Sequence, residues 1–395
     1  MDIKLAAYKK ELEGELESIL LYWMEKTPDH KQGGFYGRID GEDRIHTEAP
    51  KGVVLNSRIL WTFSAAYRQT RDPRWLPVAK RAYEYMLAHF LDGRDGGVFW
   101  SVDHTGAMLD GRKQIYGLAF CLYGLSEYYA VTGEPRALDE AITLFRLIER
   151  HSYDPEKKGY YEAFTRDWDR IDDLRLSPKD ANEQKTMNTH LHILEAYANL
   201  YRVWPDNLLR DRIAGLLDVF TRHIVDAGTG HLVLFFNEDW EPRSHIVSYG
   251  HDIEAAWLLQ EAADIAGDAW WKKRTRQLAI QMALAAAEGL DGDGGLWYER
   301  EEGTLVREKH SWPQAEAMIG FLNAWQVSGD QVWQERSLAS WTFVKNCIKD
   351  PVAGEWFWGV REDLSPMPGQ DKAGFWKCPY HNSRACLEII RRLGA

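Results

Sequence analysis

The run Gly34-Phe35-Tyr36-Gly37-Arg38 returns along the chain as Gly97-Val98-Phe99-Trp100-Ser101, Gly159-Tyr160-Tyr161-Glu162-Ala163, Gly230-His231-Leu232-Val233-Leu234, Gly295-Leu296-Trp297-Tyr298-Glu299 and Gly354-Glu355-Trp356-Phe357-Trp358. Each is a glycine followed by a short, strand-like stretch, usually aromatic. Successive glycines lie 63, 62, 71, 65 and 59 residues apart, a mean period of 64. A repeat this regular that fills the chain predicts one closed or stacked architecture, a single domain over residues 1–395. Equivalent positions of the repeats are then expected to converge on one place.

Each period holds two helix-like segments. The first of a pair is amphipathic and charged on one side, at 74–90, 135–150, 207–225, 269–287 and 331–348. Apolar residues recur there at three and four, the mark of a half-buried helix. The second is richer in small and apolar residues, at 56–68, 112–131, 188–203, 251–266, 313–327 and 382–393. Ser311 with Gln314 reads as a capping box, and Pro313 falls just inside a helix start. An opening helix at 3–25 completes roughly twelve helices in six hairpins. Six polar outer helices around six apolar inner ones describe an all-α fold, an (α/α)6 barrel with short β-hairpins at one end. An open solenoid of the tetratricopeptide kind would repeat at about 34 residues per helix pair. The period here is nearly twice that, with a hairpin in every unit.

Composition narrows the partners. The net charge is −12, with no basic run, which argues against nucleic acid or an anionic membrane. The start, Met1-Asp2-Ile3-Lys4, leads into a charged helix with no apolar signal core, and no stretch approaches membrane-spanning length. Cys121, Cys347, Cys378 and Cys386 lack Cys-x-x-Cys spacing, as expected for reduced thiols in a cytoplasmic protein. There is no glycine-rich phosphate loop or dinucleotide fingerprint. With 18 Trp and 18 Tyr, the chain has enough flat aromatic faces both to fill helix interfaces and to line a sugar cleft.

The first turns of the inner helices carry Arg58; Tyr116; Asn188 and His192; His251, Glu254 and Trp257; Trp312 and Glu316; and, around the last helix start, Trp376, His381 and Arg384. At about 100° per residue, Asn188 and His192 lie about 40° apart, as do Trp312 and Glu316. His251, Glu254 and Trp257 form one contiguous stripe. His190 lies about 160° from His192, so this His-x-His is not a chelating pair, and His190 reads as structural. Each residue alone has an ordinary explanation as an ion-pair partner or a satisfied core group. Their equivalent placement in repeat after repeat, where packing would favour Leu or Ala, points to a functional cluster.

The segments Asn56-Ser57-Arg58-Ile59-Leu60-Trp61, Met187-Asn188-Thr189-His190-Leu191-His192, Gly250-His251-Asp252-Ile253-Glu254-Ala255, Trp312-Pro313-Gln314-Ala315-Glu316 and Trp376-Lys377-Cys378-Pro379-Tyr380-His381 resemble those of the N-acylglucosamine 2-epimerase superfamily of (α/α)6 barrels, and within it the cellobiose 2-epimerases. The resemblance runs in order along essentially the whole chain. It implies inversion at C2 of the reducing-end glucose of cellobiose or lactose, without cofactor or metal, in a monomer. Ring opening to the aldehyde would make the C2 proton removable, the charge spreading into an enediolate. Imidazole, with a pKa of about 6.5, suits its removal. The resemblance casts His251 and His381 as the pair serving opposite faces of C2, with Glu254 orienting His251. Arg58 and His192 would stabilise charge at the oxygens or assist ring opening. Tyr116, Asn188 and Asp180 would bind hydroxyls. Trp312 and Trp376 would stack on sugar, and Trp257 and Glu316 would complete the binding set.

The 165–186 segment, which puts 33 positions between Gly159 and His192, resembles the disaccharide-acting branch and is expected to contact the non-reducing sugar. Three alternatives stand beside this reading. A glycoside hydrolase would use Glu254 and Glu316 as its carboxylate pair, but would leave three histidines superfluous. A carbohydrate-binding or scaffold protein needs no proton-transfer set. A monosaccharide or N-acylglucosamine 2-epimerase, or an aldose–ketose isomerase, would use the same enediolate.

Overall fold

The structure, a computed structural model, describes residues 3–394. It contains twelve α-helices among the described residues: α1 Ile3–Lys26, α2 Val53–Thr70, α3 Trp75–Tyr85, α4 Ile115–Thr132, α5 Pro135–His151, α6 Met187–Val203, α7 Asn207–Val219, α8 Tyr249–Ala266, α9 Ala269–Ala286, α10 Ser311–Ser328, α11 Gln331–Phe343 and α12 Tyr380–Gly394. The even-numbered helices pack in order α2, α4, α6, α8, α10, α12, and α12 returns to α2, closing the ring. The odd-numbered helices form the outer layer, each against the inner helix before it, and α1 lies on α12. The inner helices are buried nearly end to end because they are covered on both sides; α4 is buried from Ile115 to Tyr128. The barrel expected from the 64-residue period is the one observed.

The repeated glycine runs form the links between repeats. In each unit the chain leaves the outer helix, turns through the glycine and bridges back on itself: Pro28 with Phe35, Leu91 with Val98, Tyr153 with Tyr160, Val225 with Leu232, Leu290 with Leu296, and Lys349 with Trp356. Gly159 shows why the residue type is needed. Its φ is 81°, and an added Cβ would lie 2.3 Å from Trp240 and 2.7 Å from His190. The strand that follows then pairs with the lead-in of the preceding inner helix, as in Ser101 with Gly52, Ala163 with Gln114, Phe235 with Thr186, Glu299 with Ser248 and Gly359 with His310. Ile39 with Ala373 completes the circle. Every inner helix therefore starts at the same end of the barrel, and the polar residues of the first turns meet there.

A second repeated device escaped the sequence reading. A buried lysine just ahead of the inner helix pairs with an aspartate in the glycine turn: Lys51 with Asp29 at 2.9 Å, Lys113 with Asp92 at 2.8 Å, Lys185 with Asp154 at 2.8 Å, Lys309 with Asp291 at 2.7 Å and Lys372 with Asp350 at 2.5 Å. The same aspartates accept backbone N–H groups of the turn, as Asp154 does from Glu156 and Lys157. In the fourth repeat Val247 replaces the lysine, and His231 pairs with Asp252 at 2.7 Å. One expected local feature is corrected. Ser311 does not form a capping box with Gln314, whose amide instead spans Leu296 N, Leu296 O and His310 O, tying α10 to its own hairpin. Pro313 does lie in the first turn of α10.

Candidate active site

Arg58, in the second turn of α2, is 3% exposed, and its guanidinium lies between the rings of Phe120 and Tyr380, 4.2 and 4.7 Å from their centres. It donates to the Tyr116 hydroxyl at 2.9 Å, and no carboxylate pairs with it among the described residues. A buried cation without a counter-charge is costly to maintain. It is well suited to an oxyanion formed beside it. Tyr116 also meets His192 edge-on at 5.1 Å and Trp376 at 5.8 Å, which places Arg58, Tyr116, His192 and Trp376 side by side. His192 Nδ1 is 2.9 Å from Glu195, one helical turn on.

His381, in the first turn of α12, donates from Nδ1 to Glu316 Oε1 at 2.7 Å, which leaves Nε2 without a proton when the ring is neutral. The same Glu316 oxygen accepts from Arg384 Nη2 at 2.7 Å, and its other oxygen accepts from Trp257 Nε1 at 3.0 Å. Arg384 Nη2 also donates to Glu254 Oε1 at 2.6 Å, while Nη1 reaches Glu195 and the Tyr380 hydroxyl. Three buried glutamates thus converge on one guanidinium. Burial, reinforced by the charge of Glu316, pushes the Glu254 carboxyl up to about 8. Burial works the same way on Glu195, but the charge of Arg384 and the contact with His192 hold it down to about 2. Glu195 is therefore the ionised member of the trio, while burial raises both Glu254 and Glu316.

His251, at the start of α8, has Nδ1 2.8 Å from the Ser248 hydroxyl, and its ring lies 4.7 Å from that of Trp312. Trp312 also lies 5.6 Å from the ring of His381. Gly250 makes this possible, since a Cβ there would lie 2.6 Å from the indole. The indole is therefore a close neighbour of both imidazoles. Burial pushes the His251 pKa down to about 3, and burial with the nearby Arg58 holds His381 well below its ordinary value. Both rings are neutral bases near pH 7.

Several expected roles change on this geometry. Glu254 does not orient His251; it bonds Arg384 and lies 3.9 Å from His381, because its position one turn into α8 turns it toward the barrel axis. Trp257 is 1% exposed with its ring against Arg384, so it is a strut behind Glu316 and not a stacking surface. Glu316 is fully buried with both oxygens engaged, so it supports His381 from behind. Asn188 is half-buried with a side-chain oxygen that has no partner. Trp376 joins Phe375 and Trp100 in an aromatic wall near Tyr116. Asp180 accepts from Ser177 N within the 165–186 segment, which Asn182 organises through Leu174 N and Asp172 O and Gln114 anchors through Arg175 O. His190 is structural: Nδ1 lies 2.6 Å from Thr186 O, and Nε2 accepts from Tyr160 N.

Glu254, Glu316 and His381 bring ligand-type atoms within 4.8 Å of one another, as a metal site would. Arg384 already places a positive charge between the two carboxylates. The sequence reading noted Arg384 without a role and missed Glu195 and Tyr380. A signal was present, because His192-x-x-Glu195 repeats the spacing of His251-x-x-Glu254.

Fold and mouth together define an (α/α)6 barrel equipped for proton transfer beside an anion-stabilising arginine. The N-acylglucosamine 2-epimerase (GlcNAc 2-epimerase) family profile matches residues 34–385, and the chain belongs to that family. It is 50% identical over 385 residues to the cellobiose 2-epimerase of Bacteroides fragilis, covering 97% of this chain and 98% of that one. It is 37% identical to the cellobiose 2-epimerase of Dictyoglomus turgidum over the full length of both. The solved structure of cellobiose 2-epimerase from Bacillus thermoamylovorans B4167 superposes with a TM-score of 0.93 at 40% identity, over 98% of this chain and all of that one.

Proposed function

We propose that this protein is a cellobiose 2-epimerase, an isomerase that inverts C2 of the reducing-end glucose of β-1,4-linked disaccharides, turning cellobiose into glucosyl-mannose and lactose into epilactose. The observation that carries the mechanism is the pair of imidazoles, His251 and His381, that both lie beside Trp312. With the opened sugar held against that indole, one ring, neutral, takes the C2 proton and later releases it to solvent, while the other, first loaded at Nε2 with a solvent proton, returns that proton from the opposite face. The cis-enediolate between these steps carries its charge on O1 and O2. Arg58, Tyr116 and His192 are grouped to meet that charge. Glu316 and Arg384 hold His381 in place, and Asn188 offers its free amide oxygen to a sugar hydroxyl.

The disaccharide is favoured over a monosaccharide because the 165–186 segment extends to the next-but-one hairpin. Lys179 acts on Glu299, Glu308 and His310 there, and Asp180 on Tyr298. This makes a wall for a second sugar ring. The chain acts as one catalytic unit and as a monomer. The reaction is redox-neutral and needs no hydride or phosphate carrier, so the residues of the mouth suffice. No helix among the described residues is long and apolar enough to cross a membrane, and the four thiols are free, which suits the cytoplasm. Incubation with cellobiose, lactose, glucose, mannose and N-acetylglucosamine, each with EDTA, tests the assignment. Conversion of the two disaccharides well ahead of the monosaccharides is expected, and preferential conversion of N-acetylglucosamine would overturn it.

A further inference from the structure

In a reversible two-base epimerisation each histidine is the base in one direction, and in that role it must be the Nδ1–H tautomer with Nε2 bare toward the substrate. His381 obtains it from Glu316, a carboxylate that can only accept. The partner of His251 Nδ1 is the Ser248 hydroxyl at 2.8 Å, which can donate or accept. What fixes its direction must come from the other side of Ser248.

Ser248 is fully buried in the short strand ahead of α8, and its partner in the antiparallel ladder is Glu299, in the strand Glu299–Glu301 that forms a hairpin with Thr304–Val306. We propose that Glu299 is a positioning residue, which takes the hydroxyl proton of Ser248 and thereby makes that oxygen accept Nδ1–H from His251. Direct opposition across the antiparallel ladder puts the Glu299 side chain on the same face of the ribbon as that of Ser248, within reach of its hydroxyl. The other charges facing it are Glu301 on its own strand and Lys179 from the 165–186 segment. Burial raises its carboxyl to about 7, while Lys179 and the Ser248 hydroxyl work against the rise. His251 is then held by a carboxylate through one hydroxyl, as His381 is held by one directly.

This inference rests on His251 being one of the two bases, and its test separates the two claims. Nitrogen-15 spectra of the histidine-labelled protein, with His251 identified by its loss in His251→Asn, should show Nδ1 protonated and Nε2 bare. In Glu299→Met nothing on that strand position accepts the Ser248 proton, so the hydroxyl turns toward Nδ1 and the imidazole proton moves to Nε2. Epimerisation should then lose on the order of 10²-fold in kcat, the lower end of what general acid–base catalysis supplies, with KM within about twofold. Ser248→Ala should lose as much, the double variant no more than either, and Ser248→Thr should restore activity. An unchanged His251 spectrum in Glu299→Met, or a loss confined to KM, would overturn the positioning role. A fully active His251→Asn would instead overturn the assignment of the base while leaving the spectra to stand on their own.

Discussion

Glu316→Gln separates a residue that supports His381 from one that binds sugar. The substitution keeps the shape and removes the charge. Oε1 of Glu316 accepts from His381 and Arg384, and Oε2 accepts from Trp257. The glutamine oxygen settles where it keeps two donors, toward His381 and Arg384, and leaves its NH2 against the Trp257 N–H. That donor–donor conflict costs about 1–3 kcal/mol of stability. The catalytic cost comes from the hydrogen bond to His381, which strengthens when the ring becomes imidazolium. Bonds to charged partners contribute about 1.5–3 kcal/mol and neutral ones about 0.5–1.5, so about 1.5 kcal/mol of support is lost. At about 1.36 kcal/mol per tenfold, kcat should fall about tenfold. The assay is steady-state epimerisation of cellobiose and, in reverse, of glucosyl-mannose. The equilibrium constant is untouched, so kcat/KM must fall by the same factor both ways. A rise in KM with kcat unchanged would show that Glu316 binds substrate, and the positioning argument would fail.

Lys185→Met strips the partner from buried Asp154 and should cost about 3–5 kcal/mol in urea unfolding; a loss under 1 kcal/mol would mean that the repeated lysines do not staple the hairpins. Because the folded value of Glu254, about 8, lies above its ordinary 4.5, its contribution to stability is complete below about pH 4.5 and is lost as pH rises through 8. Glu254→Gln should flatten that limb of the stability curve, and parallel curves for the two proteins would contradict the shift. His251, with a pKa of about 3, should remain a competent base down to about pH 4, so titration of its nitrogen-15 signals near pH 6.5 would refute the burial argument. Asn182→Ala loosens the 165–186 segment and should raise KM for cellobiose and lactose severalfold while leaving any activity on glucose or mannose unchanged; equal losses would move the chain toward the monosaccharide branch.

The architecture was legible because its signals are periodic. Glycine turns recur every 64 residues or so, and the small, apolar helices alternate with charged ones, so the ring and its order followed from spacing alone. Helical phase could say that His251, Glu254 and Trp257 share a stripe, but not which neighbour each meets. Three helices contribute the glutamates around Arg384, and only the closure of α12 onto α10 and α2 brings them together. Glu254 was consequently paired with its neighbour in sequence, His251, when its partner comes from 130 residues away. Trp257 carried the same ambiguity, since an aromatic on the inner face reads alike as a sugar platform or as a strut. The buried lysines were hidden for another reason. A lone lysine ahead of a helix reads as solvent-facing, and its aspartate lies about twenty residues upstream, across the hairpin.

The central claim is a proton removed from C2 on one face and returned on the other through two histidines. Running the reaction in heavy water and reading C2 by proton NMR and mass spectrometry tests it most directly. Early in the reaction the epimerised disaccharide should carry one deuterium at C2, while recovered cellobiose remains protiated. Each of His251→Asn and His381→Asn should stop epimerisation, and one of them should still exchange the C2 proton of cellobiose through the base that remains. Rapid formation of product without solvent deuterium would contradict the enediolate route and the two-base account with it.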